Sequence, residues 1–217
     1  MKPYYLLIAL SAILFTSCQK ELNYDVTTGG TTTTGNYQPT TKDSYWKYQD
    51  SALTGEITTL LATGTTKTIN AKSYDVFSTT TSGQPATESY FNRSGNQYSV
   101  LGFVGGTVNL EFIYLNDKEA VGYTWSYNAG TVNGFAAKIN GRILEKGISK
   151  TVNAVNYPDV IHTQLDLQYD LGTGFQSVGI YDFFIAKGVG IIRVESNLSL
   201  FGASIITVSN LIDYSIK

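Results

Sequence analysis

The chain has 217 residues and a formal charge of −2; 15% of its residues are charged and 13% aromatic, with 16 Tyr but only one Cys and one His. One cysteine excludes an internal disulfide, and one cysteine with one histidine excludes a zinc centre built from several such ligands. A slightly acidic balance with no basic cluster argues against nucleic acid as a partner.

The N-terminus opens on Lys2, continues through an apolar run from Tyr4 to Phe15, and closes on Leu14-Phe15-Thr16-Ser17-Cys18. The run is too short to cross a bilayer, which takes about 20 apolar residues. Its charged start, apolar middle and small-residue end are those of a secretory signal, so residues 1–17 are read as a signal peptide. The closing residues resemble a bacterial lipobox, with Phe15 standing where an aliphatic residue is usual. That resemblance implies that Cys18 is acylated and becomes the new N-terminus. The alternative, an ordinary cleavage site followed by a free thiol, leaves an exposed reactive group on a secreted chain. Each buried CH₂ of an acyl chain contributes about 0.8 kcal/mol, so more than one chain makes a durable membrane anchor. Gln19-Lys20-Glu21 is similar to the short charged signal that sends lipoproteins of Bacteroidota to the outer membrane and the cell surface.

Residues 18–41 are read as the lipidated cysteine and a flexible tether. The run Thr27-Thr28-Gly29-Gly30-Thr31-Thr32-Thr33-Thr34-Gly35 has nothing to bury and spans roughly 20–25 Å as a coil. From residue 42 to 217 the chain reads as a single all-β domain. In Val160 to Asp170, Ile161, Thr163, Leu165, Leu167 and Tyr169 alternate with His162, Gln164, Asp166, Gln168 and Asp170. Near the C-terminus Ile206, Val208, Ile212, Tyr214 and Ile216 alternate with Thr207, Ser209, Asp213 and Ser215. Strict period-two alternation predicts antiparallel strands with one wet face. Arg93-Ser94-Gly95-Asn96 and Asn140-Gly141 are predicted hairpin turns, because Gly and Asn accept positive φ.

Two stretches resemble each other. Tyr45-Trp46-Lys47-Tyr48 matches Thr124-Trp125-Ser126-Tyr127. Lys67 to Val76 matches Lys150 to Val160, with Pro158 as an extra residue, and Tyr90-Phe91 aligns with Phe183-Phe184. Self-similarity of this length is normally architectural. The expected fold is therefore an antiparallel curled sheet, half-barrel or sandwich, built from two similar tandem halves near 42–120 and 121–217.

Catalytic chemistry is sparse. Any Ser–His–Asp or Cys–His arrangement depends on His162, which the alternation places on a polar strand face as a solvated histidine. Asn116-Asp117-Lys118-Glu119 is oxygen-rich but lacks the spacing of a calcium loop, and reads as a solvated turn. Gly188-Val189-Gly190 reads as a turn between strands. Asp182 falls in register with Val178, Ile180 and Phe184; if those are buried, it is a buried acid needing a partner. Trp46, Tyr48, Trp125 and Tyr127 could stack on sugar rings, although aromatics of this kind ordinarily pack in β cores with polar tips reaching outward. No catalytic residue, metal or cofactor is expected.

The lipobox, the Thr/Gly tether, the Trp46-Lys47-Tyr48 strand and the Ala186-Lys187-Gly188-Val189-Gly190 turn together resemble uncharacterised Bacteroidota outer-membrane lipoproteins. The resemblance implies an envelope protein held to the membrane by its N-terminal lipid and brings no activity with it. Curled sheets in envelope lipoproteins are also similar to carriers of the LolA/LolB type. Three functions are expected in order: a non-catalytic binding or structural module for a glycan, lipid or protein; a carrier of lipid or apolar ligand; and a glycan hydrolase using carboxylates such as Asp182.

Overall fold

Thr, Tyr, Val and Ile dominate the segments between the glycine-containing turns, a composition that suits a pleated, half-buried surface. In the computed structural model these segments are twelve strands: β1 (Tyr45–Asp50), β2 (Ile57–Ile69), β3 (Lys72–Thr81), β4 (Thr87–Ser94), β5 (Gln97–Leu101), β6 (Glu111–Asn116), β7 (Thr124–Val132), β8 (Phe135–Val152), β9 (Val155–Asp170), β10 (Phe175–Ala186), β11 (Gly190–Leu200) and β12 (Ala203–Ser215). The structure describes residues 35–51, 56–101, 110–132, 134–200 and 203–217. The expected signal peptide, Cys18 and the expected tether up to residue 34 lie outside the described residues.

All twelve strands join one antiparallel sheet in the order β6-β5-β4-β3-β2-β1-β12-β11-β10-β9-β8-β7. Each strand pairs with its neighbours in the chain except β6 with β7, and β1 pairs with β12. The ends of the order, β6 and β7, are consecutive in the chain and lie side by side, so the sheet is nearly closed into a barrel. Neighbour-to-neighbour connections place turns alternately on two rims. One rim carries the β2–β3, β4–β5, β6–β7, β8–β9 and β10–β11 turns. The other carries β1–β2, β3–β4, β5–β6, β7–β8, β9–β10 and β11–β12.

The barrel interior is filled by side chains. Phe77 packs on Phe91 at 4.6 Å between ring centroids, Phe112 on Tyr181 at 5.3 Å, and Tyr114 on Phe183 at 5.7 Å. The Val160–Asp170 alternation is as expected: Ile161, Thr163, Leu165 and Leu167 are buried. The C-terminal alternation is corrected. The β1–β12 register slips between Lys47 and Tyr48, so Asp213 and Leu211 oppose adjacent residues of β1. This bulge reverses the phase of β12. Leu211 and Tyr214 turn inward, whereas Ile206, paired with Asn197, is exposed. The Ser94 and Gln97 pair closes the expected Gly95-Asn96 hairpin. Asn140-Gly141 is no turn; both residues lie inside β8, paired with β7 and β9.

The matched stretches fall on strands six apart: β1 and β7, β2–β3 and β8–β9, β4 and β10. Both long matches contain a two-residue hairpin turn with positive φ at each position, Asn70-Ala71 (50° and 62°) and Asn153-Ala154 (48° and 65°). A tight turn matched to the strand twist needs that left-handed backbone, which Asn adopts readily and Ala does not. The extra Pro158 is absorbed in a bulge of β9, where Ile148 pairs with Val160 but Lys150 with Tyr157, and Asp159 takes a positive φ of 53°.

Residues 36–39, assigned from the sequence to the end of the tether, pack against the first rim as a strap. Tyr37, Gln38 and Pro39 are buried. The Tyr37 backbone N–H donates to the Tyr98 hydroxyl (3.4 Å), its hydroxyl to Asp159 (3.3 Å), and the Tyr114 hydroxyl to Gln38 Oε1 (3.3 Å). The Gly188 N–H donates to Asn36 O at 2.8 Å.

Candidate functional site

The wet faces of β7, β8, β9 and β10 lie side by side and present their polar residues in rows across the sheet. One row runs Thr124, Arg142, Gln164, Asp182; the next runs Ser126, Asn140, Asp166, Ile180. Between them is an open cleft of about 540 Å³ lined by Thr124, Ser126, Asn140, Arg142, Gln164 and Asp166, with Trp125 and Gly141 beneath. Sitting on paired strands, these side chains are held on a rigid base.

The hydrogen bonds leave the cleft with both donors and acceptors to offer. The Ser126 hydroxyl donates to Asn140 Oδ1 (2.8 Å), which leaves the Asn140 amide hydrogens available. Gln164 Nε2 donates to both oxygens of Asp182 (3.2 and 3.5 Å), which leaves its carbonyl as an acceptor. Asp166 accepts from the Ser177 hydroxyl (2.6 Å) and from Gln168 Nε2 (2.5 Å). Arg142 is exposed and has no ion-pair partner among the described residues.

Beside the cleft, His162 is clamped between two acids. Its Nδ1 lies 2.9 Å from Glu145 Oε2 and its Nε2 2.8 Å from Asp182 Oδ1. The ring stacks on Phe184 of β10 at 4.2 Å, and Lys150 Nζ stands 3.8 Å from the centre of that phenyl ring. His162 is therefore largely covered rather than solvated, with 14% of its side chain exposed. Burial disfavours its charge, but the hydrogen bonds and charges of Asp182 and Glu145 outweigh burial and raise its pKa. The protonated ring donates to both acids.

The sign of the pH effect follows. A histidine whose folded pKa exceeds its unfolded value, about 6.5, adds stability that is fully present below the unfolded value and is lost as pH rises through the folded one. Stability against urea should therefore fall from mildly acidic to mildly alkaline pH, and His162→Gln should remove that part of the slope. Equal slopes in the two proteins would refute the charged clamp.

Asp182 lies on the wet face, not in the core. The inward residues of β10 are Tyr181, Phe183 and Ile185, and the phase expected from Val178 is lost where the β9–β10 register skips between Ser177 and Gly179. Its partners are His162 and Gln164.

Of the four duplicated aromatics, Trp46 is buried and Tyr48 and Tyr127 are half-buried, while Trp125 also lines the cleft; the polar tips of all four are occupied. Trp46 is buried and donates through Nε1 to Val189 O (2.7 Å); Tyr48 donates to Ile191 O (2.8 Å). Trp125 Nε1 donates to Ile113 O (3.1 Å). The Tyr127 hydroxyl donates to Glu111 O (2.8 Å) and accepts from the Ile113 N–H (2.6 Å). Burial pushes the Tyr48 and Tyr127 hydroxyls far above their ordinary pKa. Each pair sits where ladder bonds are missing. The β11–β12 register starts only at Arg193 and Asn210, and no ladder joins β6 to β7. Backbone carbonyls left over there need donors, and the Trp-x-Tyr pairs supply them.

In the Asn116–Glu119 turn, the Tyr98 hydroxyl donates to Asp117 Oδ2 (3.1 Å). The Lys146 ammonium donates to Asp117 O (2.7 Å) and Glu119 O (3.0 Å), so the carbonyls already face a cation. Among the described residues no three His, Cys, Asp or Glu gather as a metal site. Gly188-Val189-Gly190 forms the β10–β11 turn and start of β11, with positive φ at both glycines. Sequence reasoning named His162 and Asp182 but not Glu145, Arg142 or Asn140. The register shifts of β8 against β9 begin after Ile143 and hide Glu145, whereas Asn140 and Arg142 lie in the regular Ala137–Ile143 alternation, where Asn140-Gly141 was read as a turn.

No protein-family model and no curated protein matches the chain. Two crystal structures share its fold. One is described as an exported protein with a YmcC-like fold from Bacteroides fragilis NCTC 9343; it is 12% identical, with 82% of this chain and 97% of that one covered and a TM-score of 0.51. The other is described as a lipoprotein from Parabacteroides distasonis ATCC 8503; it is 9% identical, with 82% and 98% covered and a TM-score of 0.53. At this identity the likeness is one of fold, an all-β architecture seen in proteins described as exported or as lipoproteins.

Proposed function

We propose that the protein is a lipid-anchored envelope module, attached to the outer membrane through Cys18, that binds a hydroxyl-rich ligand, a glycan, without catalysis. The cleft over β7–β9 carries this reading. It mixes donors and acceptors from neutral amides, hydroxyls, one guanidinium and one carboxylate, a set suited to sugar hydroxyls, which both give and accept hydrogen bonds. The filled interior favours surface binding over carriage of an apolar ligand. Among the described residues the cleft has a single acid on its wall, Asp166, whereas glycoside hydrolysis commonly takes two carboxylates flanking the bond. The likeness to structures described as exported or as lipoproteins supports the envelope setting.

The reading includes descent of the two halves from one ancestral unit. It is supported by the repeated Trp-x-Tyr pairs at sheet gaps and by the two Asn-Ala turns.

Calorimetric titration with envelope oligosaccharides, chosen by mass spectrometry of whatever co-purifies with the native protein, tests the binding reading. Asn140→Ala with Gln164→Ala is expected to weaken binding at least about tenfold, as loss of two hydrogen bonds of ordinary strength would. Absence of any bound saccharide, or binding untouched by the double substitution, would overturn it.

A further inference from the structure

We infer that the rim bearing the strap is a docking surface for an anionic lipid surface, so that the barrel stands on the membrane strap side down. The inference goes beyond ligand binding and does not need the cleft to be occupied. It rests on the sorting of charge between the two rims. The strap rim carries Lys42, Arg93, Lys118, Lys146, Lys187 and Lys217, all exposed. Its acids are fewer: Asp43, Asp117, Glu119 and Asp159. Of these, Asp159 pairs with Lys187 (3.2 Å), which leaves five cations facing three acids on this rim. The strand ends at the opposite rim hold Asp50, Glu56, Asp166 and Asp170 against one cation, Lys138. Pairs such as Lys67–Glu88 and Arg193–Glu195 neutralise one another along the wall. Segments 52–55, 102–109, 133 and 201–202 contain no charged residue, so they leave this sorting unchanged.

Two observations single out lipid as the occupant. The strap is where the N-terminal segment reaches the barrel, so a membrane holding the N-terminus through the proposed anchor at Cys18 would face this rim first. The charge of the rim also complements lipid phosphates. Attraction between exposed charges acts over roughly 8 Å at physiological salt, and each Lys or Arg near an anionic surface adds to it. A tether keeps the effective concentration of the surface high, so weak attraction is enough to orient the body.

The test uses the chain from residue 18 onward with Cys18→Ser, so that neither signal peptide nor acyl group contributes. Co-sedimentation with phosphatidylcholine vesicles is compared with and without phosphatidylglycerol. Binding is expected to be at least about tenfold stronger with the anionic lipid and to fall as salt is raised. The triple variant Lys42→Glu, Lys118→Glu, Lys217→Glu should abolish the difference, whereas Lys138→Glu should leave it intact. If the triple variant loses its β-sheet circular dichroism, the corresponding three Gln substitutions carry the test. Equal binding to both vesicles, no binding to either, or full binding by a folded triple variant would overturn the inference; the outcome with no binding would leave an acidic protein as the alternative partner of this rim.

Discussion

Replacing Gly141 with valine is expected to destabilise the barrel by about 3 kcal/mol, the combined effect of overpacking and of an orphaned carbonyl. A Cβ at this position would stand 2.1 Å from Trp125 Cε2 and 2.3 Å from Cζ2. Neither side can retreat at low cost. Gly141 is paired with Trp125 of β7 and with Leu165 of β9. The indole is tied to Ile113 O across the β6–β7 gap. A branched side chain therefore forces the ring off the carbonyl or β7 off the sheet. Urea unfolding should show an earlier midpoint, and tryptophan emission should shift to longer wavelength, because Trp46 remains buried as the internal reference. Gly141→Ala should act in the same direction to a smaller extent. A wild-type midpoint in the valine variant would show that the seam is not closed in this way.

Trp46→Phe is expected to cost about 3 kcal/mol, and more than Trp125→Phe by at least about 1 kcal/mol. Both substitutions remove an N–H that satisfies a backbone carbonyl. The difference lies in water. Trp46 is 1% exposed and packs on Phe77 at 5.6 Å, so shrinking it leaves a cavity and strands Val189 O. Trp125 is only half-buried at the cleft floor, where water can replace the lost donor. Equilibrium unfolding of the two variants decides the matter, and equal losses would mean that burial does not distinguish the two gaps.

Composition and alternation carry the fold class because they report local backbone preference, and the residues of Val160 to Asp170 divide between core and solvent as their period predicts. Alternation fails wherever a bulge intervenes. One extra residue in β12 exchanges the faces of Ile206 and Leu211, and a skip in β10 moves Asp182 from the core face to the wet face. A bulge depends on the partner strand, so it leaves no trace in a single segment. Asn140-Gly141 misleads for a related reason. The pair has turn chemistry, but this glycine makes room for an indole. The candidate site was legible in fragments. His162, Gln164 and Asp166 fall on polar positions, while Asp182 reaches them only through the skip in β10, and Glu145, the second arm of the clamp, only by pairing across irregular strands. The barrel itself was beyond the sequence, since closure rests on side chains bridging β6 and β7 rather than on any pattern within one strand.

The strap has a mechanical consequence. A pull on the chain from its N-terminal side would reach Asn36, Tyr37 and Gln38 before the ladder of β1. The contacts that resist it are the Gly188 to Asn36 bond (2.8 Å), longer bonds of 3.3 to 3.4 Å at Tyr37 and Gln38, and the burial of residues 37–39. Under such a load they would part before the barrel opened, and the strap would act as a fuse between tension and fold.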